Sequence, residues 1–195
     1  MKNIAHINDV CFEYNNLIKI NTNTHIEILT PTKKSLNELH TRWNKDEYEQ
    51  SDYLNSSQYT ANAYNDIESL SSCIWKKDRS LPNKSSIAFI LHHNDCKFLL
   101  LGDAHIDEVN ESLKALKYTE SNPLSVEFVK LSHHGSNKNI NLDFLSLIET
   151  NNFVVFKVYE GESKHPNKET LAKIVKFGVA KNKGSLGFPV VMHKM

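Results

Sequence analysis

The chain has 195 residues, 23 basic and 23 acidic, and so a formal net charge of +0. That balance argues against a strongly basic nucleic-acid-binding surface, while leaving room for a local patch. Hydrophobic residues make up 39%, which is low for a globular chain yet far from disordered composition, and the length suits one ordinary domain.

Cys11, Cys73 and Cys96 are dispersed with no Cys-x-x-Cys pair, a usage that fits reduced thiols better than a disulfide framework. No leader-like apolar segment follows Met1, and no apolar run reaches the roughly 18 residues of a membrane span. A soluble, cytoplasmic chain with no membrane partner is expected. In chain order, short strands are expected around Val10–Tyr14, Leu17–Ile20 and His25–Leu29, with a turn at Asn15-Asn16. Thr30-Pro31-Thr32 ends the last of these, and Thr32 or Ser35 can cap a helix over Lys33 to Glu49. Leu36, Leu39 and Trp43 fall at helical spacing there. Trp43 is read as packing, with a substrate platform as the alternative. Residues 50–84 are rich in Ser, Asn, Asp and Tyr and read as a surface loop, with one short helix near Asp66–Leu70. Residues 1–84 therefore form an N-terminal region of strands, helix and polar loop, and 85–195 the better organised part.

From residue 85 a hairpin is expected, Ser86–Leu91 and Lys97–Leu101, with its turn at Asn94-Asp95 and with His92 and His93 at its tip as solvated turn residues. A helix over Ile106–Leu116 follows, with His105 either starting it or reaching a metal. Then come a strand over Ser125–Val129, a helix over Leu142–Glu149 and a strand over Phe153–Val158. Pro166 opens a helix over Asn167–Lys176. Leu186–Met192 reads as an edge strand, in which Pro189 implies a free edge.

Three consecutive strand ends carry the chemistry. Cys96–Leu101 runs into Gly102-Asp103, the strand before Lys130 into Ser132-His133-His134-Gly135-Ser136, and Phe153–Val158 into Lys164-His165-Pro166. Parallel strands joined by helical crossovers would bring these exits to one edge of a sheet. An Asp with several His suits zinc, manganese or iron, although an isolated His-His pair also fits a solvated turn.

These motifs, with Asn83-Lys84-Ser85-Ser86 ahead of them, resemble the later motifs of metallo-β-lactamase-fold hydrolases, and within them the ComEC-like competence-protein branch. The resemblance spans roughly Pro82 to Ile174. It implies an α/β fold, the second half of an αββα sandwich with a mixed sheet and flanking helices. It also implies a divalent metal, zinc or manganese, held by Asp103, His133 and His165, with Asp103 and His134 serving catalysis. Ser136, Lys130 and Lys164 would contact an anionic substrate, a phosphodiester or a nucleic acid. The family's His-x-His-x-Asp-His motif is absent from this sequence. The expectation is accordingly a hydrolase inactive alone, its first half supplied by a partner chain or by the full-length gene product, with self-association through an uncovered apolar face. The alternatives are a degenerate module serving binding or regulation, and an unrelated α/β domain with incidental histidines.

Overall fold

The computed structural model describes residues 11–13, 16–43, 66–157, 165–180 and 190–194, the backbone alone for 157 and 190–194. Strands β1 (Leu17–Asn21) and β2 (Thr24–Thr30) form a hairpin, and α1 (Lys33–Trp43) follows. Short helices α2 (Ile67–Ser71) and α3 (Leu81–Lys84) lead to the hairpin β3 (Ala88–His93) and β4 (Cys96–Leu100). Three crossovers follow: β4–α4 (Ile106–Ala115)–β6 (Phe128–Lys130), β6–α5 (Leu142–Ser146)–β8 (Phe153–Lys157), and β8–α6 (Lys168–Phe177)–β9 (Val190–Lys194). The main sheet has the order β1-β2-β3-β4-β6-β8-β9, antiparallel up to β4 and parallel from β4 onward. A small parallel pair, β5 (Leu124–Ser125) with β7 (Ile148–Glu149), lies apart from it. The fold is thus α/β with a mixed sheet and flanking helices. The sheet runs across the compositional boundary at residues 84–85, because β2 pairs with β3.

Register assigns the faces, since directly paired residues share one side. Ile90, Leu99, Val129 and Phe153 are successive partners, and all are buried. They pack in one core with Ile106, Val109 and Leu113 of α4, Phe144 and Leu145 of α5, and Ile174 of α6. Each such side chain contributes about 1.5–3 kcal/mol by leaving water. The opposite face carries Ile26, Phe89, Leu91, Phe98, Leu100, Phe128, Lys130 and Val154. All of these are only half-buried, whereas Ile28, which pairs with Phe89 on the same face, is buried.

Several details differ from expectation. Ser125–Val129 is not one strand: Val126 N donates to Glu149 O (2.9 Å) and Glu127 N to Lys97 O (2.8 Å), so the chain changes sheets there. Ile148 and Glu149 pair with β5, which ends α5 early. His92 belongs to β3 rather than a turn, half-buried and stacked on His25 with ring centroids 4.1 Å apart. The turn itself falls at Asn94-Asp95 as expected, and a left-handed φ of 51° there suits Asn94. Pro166 precedes α6, whose cap residue is Asn167. Trp43, expected to pack, is 66% exposed at the last residue of α1. Val10, Tyr14, Asn15, Lys164 and Pro189 lie outside the described residues. No helix among the described residues is long and apolar enough to cross a membrane.

Candidate functional site

The three parallel exits interlock through their backbones. After β4, Gly102 has φ +52°, and a Cβ there would meet Ile87 O at 2.6 Å and Ser86 Oγ at 2.7 Å. A side chain is therefore excluded by both conformation and space. The next residue, Asp103, donates its backbone N–H to Ser86 Oγ at 3.0 Å. Gly102 O accepts from His133 N at 3.1 Å and from Lys130 Nζ at 2.7 Å, which ties the first exit to the second.

In the second exit His133 (φ 44°), His134 (φ 54°) and Gly135 (φ 79°) are consecutive left-handed residues. For the histidines this backbone costs on the order of 1–3 kcal/mol each and persists only when surroundings enforce it. The enforcers are Ser132 Oγ on Ala104 O (2.7 Å), His133 N on Gly102 O, and Ser136 N on His133 O (3.0 Å). The third exit closes on the second: Asn167 N donates to Gly135 O at 3.1 Å. A Cβ on Gly135 would sit 2.8 Å from Pro166 Cβ, so only glycine lets His165-Pro166 approach. The His133 and His165 rings end 5.4 Å apart, and those of His133 and His134 6.2 Å.

Asp103, His133, His134 and His165 thus stand at one end of three neighbouring parallel strands. Burial pushes the His165 imidazole below its ordinary pKa, reinforced by His133 and His134, so it is neutral near pH 7. Its Nδ1 is buried without a hydrogen-bond partner. Burial likewise lowers the Lys130 amine, opposed by the charge of Asp103. Lys130 is committed to the Gly102 carbonyl. Ser136 is 4% exposed, with its Oγ accepting from Lys138 N at 3.3 Å.

Behind the histidines lies a carboxylate that sequence reasoning missed. Asp78 is 6% exposed. Its Oδ1 accepts from Ser80 N (3.0 Å), and its Oδ2 from Asn83 Nδ2 (3.0 Å) and Asn139 Nδ2 (3.2 Å). His133 Nδ1 lies 3.6 Å away and His105 Nε2 3.8 Å, close enough for charge to act but too far for a hydrogen bond. Burial raises the Asp78 pKa, but His133, Asn83, Ser80 N–H and His105 outweigh it and hold the carboxyl well below the usual range. His105 occupies the cap position of α4 at 2% exposure, both ring nitrogens buried without partners. The one local clue was Asp78-x-Ser80-Leu81-Pro82, a turn-and-cap pattern that Ser80 completes by accepting from Asn83 N at 3.4 Å.

The donor types match a divalent metal. Among the described residues, however, no three His, Cys, Asp or Glu side chains form a group placed to hold one. No protein-family model, no curated protein and no solved structure matches the chain.

Proposed function

We propose that the chain is the second half of a metal-dependent hydrolase of the metallo-β-lactamase type, acting on phosphodiester or nucleic-acid substrates and dependent on a partner chain. The observation that carries this reading is the interlock at Gly102 and Gly135, which gathers Asp103, His133, His134 and His165 where parallel strands end. Open α/β sheets place their chemistry at such strand ends. Asp103, His134 and His165 would hold zinc or manganese, with the His133 ring beside them, and the metal would supply Lewis acidity. The described residues do not assemble three ligands into one group, so ligands from elsewhere belong to the reading and no reaction step is derived through the metal.

What this chain contributes is placement. His165 is held toward its neutral form, the form that can ligate a cation, and Lys130 sets a positive charge beside Asp103. Titration of the purified chain with zinc, followed by NMR of the histidine rings, tests the reading. Weak binding that shifts only the rings of His133, His134 and His165, abolished by Asp103→Ala, is the expected result. Hydrolysis of bis(p-nitrophenyl) phosphate by the chain alone is expected to be negligible. Silence of all three rings at millimolar zinc or manganese would remove the hydrolase reading and leave a non-catalytic module.

A further inference from the structure

Two adjacent histidines in one turn look chemically equivalent, but their fixed nitrogens face opposite kinds of partner. His134 Nδ1 lies 2.8 Å from the backbone carbonyl of Phe156. A carbonyl oxygen only accepts, so that nitrogen carries a proton. In the neutral ring the lone pair then belongs to Nε2. His133 Nδ1 instead lies 3.2 Å from Asn83 Nδ2. An amide can present either its oxygen or its nitrogen, and here Asp78 decides which. Asp78 Oδ2 stands 3.0 Å from the same Asn83 atom. Carboxylate against carbonyl oxygen at that distance would be repulsive, so the amide nitrogen must face Asp78.

One of its N–H bonds goes to Asp78, and the other is left for His133 Nδ1, which accepts it. The alternative, a proton on Nδ1 shared with Asp78, fails on distance and on capacity. The separation is 3.6 Å, and Asp78 Oδ2 already accepts from both Asn83 and Asn139.

We propose that the two histidines are held in opposite neutral tautomers, His134 with its proton on Nδ1 and His133 with its proton on Nε2. Asp78 and Asn83 are positioning residues that set the second. His134 is then the ring with a free Nε2 lone pair, fit to take a proton or a cation, a nitrogen commonly available when the other donates to a carbonyl. His133 presents an N–H donor, fit for an anionic oxygen such as that of a phosphate ester. This division deepens the hydrolase reading by taking His133, which then has no free lone pair, out of the metal-ligand set. It leaves the cation to Asp103, His134 and His165, and rests on that reading only for the use made of the two rings. The tautomers themselves stand on the hydrogen bonds alone.

Long-range proton–nitrogen correlation spectra of the uniformly 15N-labelled full chain test it. Assignments come from His133→Asn and His134→Asn, since Asn tolerates left-handed backbone. The expected spectrum, at a pH where both rings are neutral, shows an Nδ1-protonated His134 and an Nε2-protonated His133. Identical tautomers, or the reverse pair, would overturn the proposal in the wild-type protein without any further variant. Asn83→Asp exchanges a donor for an acceptor and is expected to move His133 to the Nδ1-protonated form. Where that variant does not fold, Asn83→Ala is expected to leave His133 a mixture of both forms. A His133 signal unmoved by either change would also overturn it. Zinc added to the wild type separates the two claims. A response at His134 Nε2 upholds both, whereas opposed tautomers with no zinc response uphold the proposal and count against the hydrolase reading.

Discussion

Gly135 shows how much of the site depends on a missing atom. Its φ of 79° and the 2.8 Å between a hypothetical Cβ and Pro166 combine two penalties in one position. Gly135→Ala is expected to destabilise the chain by about 1–3 kcal/mol, read as a lower urea midpoint with an unchanged slope. A loss under about 0.5 kcal/mol, the scale of an ordinary surface change, would mean that the third exit yields easily. A second residue-scale expectation concerns His92. Burial lowers its pKa, the neighbouring His25 and Lys97 lower it further, and Glu27 opposes them. Because the folded ring binds its proton less readily than the unfolded one, stability falls as pH drops below the unfolded value of about 6.5. Urea melts at pH 7.5 and 5.5 are expected to differ less in His92→Gln than in the wild type. Equal differences would assign the acid sensitivity to other groups.

At the scale of elements, Asp78 joins pieces that the chain order keeps apart. Its carboxylate accepts from the start of α3 and from the loop after the histidine turn, and it lies beside the cap of α4. Asp78→Ala would leave one N–H of each of two amides, and the Ser80 backbone N–H, without an acceptor. A loss of about 3–5 kcal/mol is expected, measured by thermal or chemical melting. A loss below about 1 kcal/mol would show that water replaces the carboxylate readily. Since the folded pKa of Asp78 is depressed, its contribution is complete above the unfolded value and disappears as pH falls below it.

The strand exits were legible because apolar runs, Gly102, Gly135 and the His-His pair announce themselves within a few residues. Asp78 was not, because its amide partners stand 5 and 61 positions away and nothing local marks a polar loop residue as buried. The split of Ser125–Val129 between two sheets was equally hidden, because it depends on which distant carbonyl each amide meets. His92 looked like part of a turn for the same reason: its partner His25 lies on another strand.

At the scale of the whole molecule the sheet is apolar on both sides, and among the described residues one side is buried far more completely than the other. Ile90, Leu99, Val129 and Phe153 are sealed under helices, while Leu91, Phe98 and Phe128 on the other side keep part of their surface in water. The rings of Phe98 and Phe128 lie 5.1 Å apart on that open side. An apolar surface of this kind favours association. Sedimentation is expected to show concentration-dependent self-association that Phe98→Lys weakens. A monomer at all concentrations, unaltered by the substitution, would show that the face is satisfied within the chain.

Lys130 shares that open face and also reaches Gly102 O, beside Asp103. Whatever settles over Phe98 and Leu100 would strip water from this lysine as well. Its ammonium form would become harder to maintain and would lean more on the Asp103 carboxylate. Assembly on one side of the sheet and ionisation at its strand ends are therefore thermodynamically linked. A shift in the Lys130 pKa on assembly would be matched by a pH dependence in the affinity of assembly itself.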